Sequence, residues 1–325
     1  MTSVKKVAAM GLTLTMVVGM LPAAAFAYSS KDGWVEKDGK LYFYEDGRKI
    51  KCDVRYDPSD DNNYLLNESG VRVTKKGWTT LDYYYTYYGT KIKQSQRYYL
   101  AEGGVIKASG WKKIKGKYYY FVDGHAQTNT LILDYDDNYD IKSAYAVDKK
   151  GARITKKGWY RLKGTSYDFY SGAAYKYDEW VYVKTGGKLV RGCVKKIGKK
   201  KYVFSEYGLM ARNSYACSTD GKTYYLADKN GVQVTKKGWH KFTYSEKYTS
   251  TGYKYYDKST YWVYVKKDGT LQTGLKKIKG TYYYFNPTMR CNSTFTKEGK
   301  EYDTKYYFGR DGKCKKTSKI YHSVT

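Results

Sequence analysis

Apolar positions in this chain come as short aromatic bursts of three or four residues between turn-forming pairs. The stretch "GWVEKDGKLYFYEDGRKI" (33–50) sets the pattern: a strand start, a turn near Asp38-Gly39, an aromatic strand from Leu41 to Tyr44, and a second turn at Asp46-Gly47. Asp-Gly between apolar runs predicts a tight β-hairpin. Side chains alternate faces along a strand, so in "YYYF" Tyr118 and Tyr120 point one way and Tyr119 and Phe121 the other. Both faces are aromatic. A hairpin over a single core would alternate apolar with polar, so these strands need one face against a neighbouring hairpin and the other against something else. An isolated hairpin is marginal in water, and stacking successive units buries the rings. The pattern predicts an all-β chain, a β-hairpin solenoid of about eleven stacked hairpin units.

A longer period runs above the hairpins. "VTKKGW" at 73–78 returns as "ITKKGW" at 154–159 and "VTKKGW" at 234–239, intervals of 81 and 80 residues. "GWKKIKGKYYYF" (110–121), "GCVKKIGKKKYVF" (192–204) and "GLKKIKGTYYYF" (274–285) keep the same step. So does a Tyr six residues before a Gly, at Tyr64, Tyr145, Tyr225 and Tyr306. Super-repeats therefore span about 77–157, 158–237 and 238–318 within a repeat array covering 28–325. Each KKGW opens a long unit with a Tyr-rich insert, at 81–99, 165–180 and 244–262, and inserts at one phase of a solenoid fall on one face.

The first 27 residues read differently. Lys5 and Lys6, an apolar run from Val7 to Leu21 and the small-residue site Ala25-Phe26-Ala27 have the layout of a secretory signal peptide, with cleavage expected after Ala27. No later run has the length of a membrane span, so the mature chain is expected to be exported. Near the end, "KIYHSVT" carries no sortase-type signal, which makes any wall attachment non-covalent.

Composition narrows the partners. With 60 basic against 31 acidic residues the chain carries +29, an excess that bears on adhesion to polyanions rather than on fold. The 43 Tyr and 32 Gly suit half-wet strands and frequent turns. Five cysteines at no metal-like spacing allow at most two disulfides. The pairs Lys75-Lys76, Lys112-Lys113, Lys156-Lys157 and Lys236-Lys237 recur at fixed phases, so they are candidate polyanion contacts.

The array of Gly-Trp, a few residues, Gly, three or four aromatics and a further Gly closely resembles the cell-wall-binding repeats of secreted Gram-positive proteins, of the choline-binding and glucan-binding type. The resemblance covers essentially all of 31–318. It implies stacked hairpins with aromatic ligand pockets at their junctions, built from the Trp of Gly-Trp and aromatics of the second strand and of the following hairpin. Carried onto this sequence, the candidate ligand-binding residues are Trp34, Tyr42, Trp78, Trp111, Tyr118, Trp159, Trp239 and Tyr282. Such rings suit a quaternary ammonium or the apolar face of a sugar. The Gly-Trp position reads as Cys193 and Leu275 in two units, which puts choline in doubt and leaves a wall glycan or teichoic acid as the partner.

Other motifs carry less. "DYDDNYD" (134–140) has the alternate spacing of a calcium loop but lacks its central Gly and distal Glu, so it reads as an acidic turn, and "DPSDDNN" (57–63) as a loop. His125, His240 and His322 are isolated and no nucleophile or metal-ligand motif appears, so no enzyme, cofactor or metal is expected. Basic turns with aromatics also have the ingredients of single-strand nucleic-acid binding. Export argues against a genomic role and leaves extracellular polyanions, DNA or a host glycosaminoglycan, as the alternative to wall polymer. Oligomeric state is not legible.

Overall fold

A computed structural model of the chain describes residues 32–87, 90–167, 174–250 and 253–322. Residues 1–27, read from the sequence as a signal peptide, lie outside the described residues. Among those residues the chain is all-β, with a single 3-10 turn at Glu102–Gly104 as its helical content. The strands form many short antiparallel hairpins, and among the described residues no sheet closes on itself. No helix of these residues is long and apolar enough to cross a membrane.

The turns follow from sequence. In the hairpin of Gly33–Lys37 with Lys40–Glu45, Asp38 and Gly39 have φ of 52° and 66°. Both central residues being left-handed is the turn whose twist matches paired strands, and Asp-Gly is its favoured pair. Asp46-Gly47 and Asp123-Gly124 repeat it, and Lys115-Gly116 and Lys279-Gly280 do so with Lys in the first place.

The Tyr-to-Gly series marks a second device. Three residues after Tyr64, Tyr145 and Tyr225 stand Asn67, Asp148 and Asp228. Each side-chain oxygen accepts two backbone N–H groups of the loop, from Ser69 and Val71, Lys150 and Ala152, and Asn230 and Val232. The Gly closing the loop has a positive φ, 79° at Gly70, where a Cβ would lie 2.7 Å from the Ile50 carbonyl oxygen. The acidic segment 134–140 is a turn of the same kind: Asp136 accepts the N–H groups of Asn138 and Asp140.

The described residues group into two units, those within 32–178, 183–188 and 248–254, and those within 179–182, 189–247 and 255–322. In the first, the strand Lys117–Val122 is buried on both faces. Tyr119 and Phe121 join Ile114, Ala126 and Ala152, with Trp78 and Tyr99 against them. Tyr120 joins Ile132, Tyr145 and Val147, with Trp111 against them. The two-faced aromatic pattern is thus answered by a separate hairpin on each side. The second unit has its own small cores, one around Phe242, Val263 and Val265, another of Val203, Ala211, Ala216 and Ala227.

The Tyr-rich segment of the first unit is not a loose insert. Gly77–Tyr87 and Thr90–Leu100 pair along their whole length as one long hairpin, from Gly77 opposite Leu100 to Tyr87 opposite Thr90. Cys52, Cys217, Cys291 and Cys314 are free thiols.

Phe121 is 1% exposed and stacks 6.0 Å from Trp78. Phe121→Ala is expected to lower stability by about 3–5 kcal/mol, measured by urea denaturation. Lys117→Ala, at an exposed position of the same strand, is expected to change it by less than ~0.5 kcal/mol.

Candidate functional site

Strand registers sort the tryptophans into two kinds. Trp34 and Trp111 lie opposite Phe43 and Tyr120 in short hairpins. Trp34 meets Phe43 at 5.3 Å and Tyr64 at 6.0 Å between ring centroids, and Trp111 meets Tyr120 at 5.2 Å and Tyr145 at 5.4 Å. Each packs its indole onto the hairpin that follows. The KKGW tryptophans instead begin long strands and receive the other face of the next short hairpin. Trp78 holds Tyr119 at 4.7 Å and Phe121 at 6.0 Å, and Trp239 holds Tyr283 at 5.0 Å and Phe285 at 5.6 Å. Trp159 opens the strand Gly158–Tyr167 and is half-buried.

The same registers correct one alignment. Cys193 faces Phe204 as Gly33 faces Tyr44, so it stands in the Gly place, and Val194, opposite Val203, takes the place of the Trp. Leu275, opposite Tyr284, does occupy the Trp place. The extra residue before Lys195-Lys196-Ile197 hides this shift, although the residue preceding Lys-Lys-Ile is Trp111, Val194 and Leu275 in turn. Val194 packs among Val203, Ala211, Ala216 and Ala227, an aliphatic filling where the copies with Trp34 and Trp111 have indoles.

Cations from the chain itself lie over many of the rings. The Arg72 guanidinium carbon is 3.2 Å from the Tyr64 centroid and 5.5 Å from that of Trp34. Arg153 is 4.0 Å from Tyr145, 5.6 Å from Trp111 and 5.9 Å from Tyr118. Arg97 lies 3.9 Å over Trp78 and donates to the Lys150 carbonyl. Guanidinium planes stack on aromatic faces readily, being weakly hydrated and delocalised. Of the other predicted rings, Tyr42 has the Lys49 ammonium at 5.1 Å, Tyr118 that of Lys113 at 5.7 Å and Tyr282 that of Lys277 at 5.5 Å. Sequence reasoning passed over the arginines, although Arg72 and Arg153 each stand two residues after the loop Gly of the Tyr-to-Gly series.

Burial shapes the second cage further. The Trp111 indole N–H donates to Asp134 Oδ1 at 3.4 Å, and burial holds the Asp134 carboxyl above its usual range. Burial, with the neighbouring Asp134, pushes the Tyr120 hydroxyl up to about 12. Around the first cage Asp57 accepts from Arg72 Nη1 at 3.2 Å.

Trp239 differs from these. Among the described residues no cation lies over it. Beside it at 6.4 Å stands Trp262, 43% exposed, with Tyr264 at 5.6 Å. The result is an open shelf of two indoles and two tyrosines, with Tyr283 the second. Sequence reasoning missed Trp262 because no Gly precedes it. Lys75, Lys76, Lys112, Lys113, Lys156, Lys157, Lys236 and Lys237 are all exposed, and Lys76 pairs with Glu102 at 3.1 Å. His125, His240 and His322 lie apart: His125 beside Tyr98 at 6.0 Å, His240 Nε2 2.6 Å from the Lys236 carbonyl, His322 2.9 Å from Asp303.

No protein-family model matches the chain. Its sequence is similar to glucosyltransferase-I of Streptococcus downei, 27% identical over 85% of this chain, and to glucosyltransferase-S of Streptococcus mutans serotype c, 26% identical over 64%. The chain spans 20% of the length of the first relative and 12% of the second. Among solved structures, choline binding protein F of Streptococcus pneumoniae aligns with 88% of this chain and 92% of its own, at 18% identity and a TM-score of 0.33. The sequence likeness is consistent with the wall- and glucan-binding repeat resemblance drawn from the Gly-Trp motifs.

The packing separates two tryptophans by their expected cost. Trp78 is enclosed by Tyr99, Tyr119, Phe121 and Arg97, so Trp78→Ala is expected to lose about 3–5 kcal/mol in a denaturant titration. Trp262→Ala, at an exposed indole, is expected to lose less than about 1.5 kcal/mol.

Proposed function

We propose that this chain is an exported, non-catalytic repeat protein that holds a cell-wall polymer or surface glycan through exposed aromatic shelves and a ladder of lysines. In this reading the hairpins of each unit are successive turns of a β-hairpin solenoid. The observation that carries it is the Trp239, Trp262, Tyr264 and Tyr283 shelf, in which the Trp262 indole stays exposed although the other six tryptophans are half-buried. Flat indoles fit the apolar faces of sugar rings, and the exposed lysines supply a long-range attraction to phosphate-bearing polymer. Similarity to parts of two glucosyltransferases supports a carbohydrate partner. The wall association is read as non-covalent.

A second reading rests on charge. At +29, with exposed Lys pairs recurring along the chain, the protein suits extracellular polyanions such as DNA or a glycosaminoglycan.

Purified protein lacking residues 1–27 is to be incubated with isolated Gram-positive cell walls, with and without their teichoic acid, and in parallel with heparin and DNA resins. Retention on teichoic-acid-bearing walls is expected to fall several-fold as salt rises from about 50 to 500 mM, because the screening length shrinks below the spacing of surface charges. Trp262→Ala is expected to weaken the salt-resistant remainder at least ~5-fold, with unchanged circular dichroism dominated by strand. Retention indifferent to salt removes the lysine ladder from the mechanism. Equal or stronger capture on heparin or DNA than on walls favours the second reading.

A further inference from the structure

Three copies of one junction can be superposed by their backbone bonds, and a fourth by its strand pairing. The N–H groups of Arg72, Arg153 and Gln233 donate to the carbonyls of Leu41, Tyr118 and Lys201, and these residues bridge to Leu66, Val147 and Ala227. Phe308 opposite Cys314 completes the series. The residue in the Trp place of the same junctions is Trp34, Trp111, Val194 and Leu275. The pairs are therefore Trp34 with Arg72, Trp111 with Arg153, Val194 with Gln233 and Leu275 with Cys314. Tyr64, Tyr145, Tyr225 and Tyr306 are present in all four. The arginine accompanies the indole, not the tyrosine.

Hydrogen bonding does not account for this pairing. Arg153 Nη2 donates to the Gly186 carbonyl at 2.7 Å, and Gln233 Nε2 reaches the equivalent turn without a guanidinium, donating at 3.1 Å to the carbonyl of Gly269, the counterpart of Gly187. What the arginine adds is a cation over rings. Nε of both Arg72 and Arg153 is buried with no hydrogen-bond partner, a costly placement unless the aromatic face stabilises the charge. Asp57 beside Arg72 and Asp134 beside Trp111 add negative charge to the two sites.

We propose that Arg72 and Arg153 are built-in ligands of the two aromatic cages at Trp34 and Trp111: each guanidinium occupies the place of an external cation, and removing it opens the cage to a quaternary ammonium. The two cages are thus closed to such ligands in the native chain. This goes beyond the wall-binding reading and does not depend on it.

The test uses the full mature chain labelled with 5-fluorotryptophan, its indole resonances assigned by single Trp→Phe variants, and tetramethylammonium chloride titrated against matched sodium chloride. In the native chain the Trp34 and Trp111 signals are expected to move no more than in the sodium control. In Arg153→Met the Trp111 signal is expected to shift saturably while Trp34 stays still, and Arg72→Met is expected to reverse the two. Arg153→Gln, which keeps a donor for the Gly186 carbonyl, serves in place of Arg153→Met if the latter loses its dispersed signals. A Trp111 shift in the native chain as large as in the variant overturns the proposal. So does a folded Arg153 variant whose Trp111 signal ignores tetramethylammonium. No wall polymer enters the experiment, so its failure is separate from a failure of wall binding.

Discussion

The constraint on which the rest depends is that the short aromatic strands are apolar on both faces. Lys117–Val122 cannot satisfy itself in a two-stranded hairpin, because Tyr119 and Phe121 need one partner and Tyr120 needs another. The chain answers with Trp78 and Tyr99 on one side and Trp111 and Tyr145 on the other. Thr281–Phe285 in the second unit repeats the solution, with Trp239 against Tyr283 and Phe285, and Phe295 and Phe308 against Tyr284. Burial of rings between neighbouring hairpins supplies the hydrophobic gain that a conventional single core would supply elsewhere.

A strongly basic chain must also dispose of its charge, and arginine and lysine do so differently here. Arg72, Arg97 and Arg153 place their guanidinium carbons over rings inside junctions, where a delocalised, weakly hydrated cation loses little by leaving water. The Lys-Lys pairs stay exposed at strand starts and hairpin flanks, where a compact, strongly hydrated ammonium belongs. Net charge alone conceals this division, since both residues count as +1 toward the total.

Much of the fold was legible in the sequence. Asp38-Gly39 and Asp46-Gly47 announced tight turns, the alternation in "YYYF" announced two buried faces, and the succession of short hairpins was visible in the aromatic runs. The site was less legible, for physical reasons. Cys193 aligned with the tryptophans by its preceding Gly, but strand register is fixed by pairing, and pairing gives that place to Val194. Trp262 lacks the Gly-Trp signature because it sits on the returning strand of a long hairpin. The arginines were hidden because a cation on a ring leaves no motif: Arg72 is 38 residues from Trp34 and Arg153 is 42 from Trp111. Only their joint replacement, at Val194 with Gln233 and at Leu275 with Cys314, leaves a trace in the primary structure.

The packing of Trp111 onto Tyr145 sets how the chain tolerates being cut. Each junction joins hairpins close in sequence, so contacts are formed locally and little loop entropy opposes them. A break after Val122 would leave the Trp111 and Tyr120 face bare of Ile132, Tyr145 and Val147, an open apolar end able to stick to another copy. A break after Arg153 would keep that junction whole, its guanidinium still over both rings. The second residue after the loop glycine is therefore a natural seam, and lengthening or shortening such a chain by whole periods preserves every junction, whereas trimming by half a period does not.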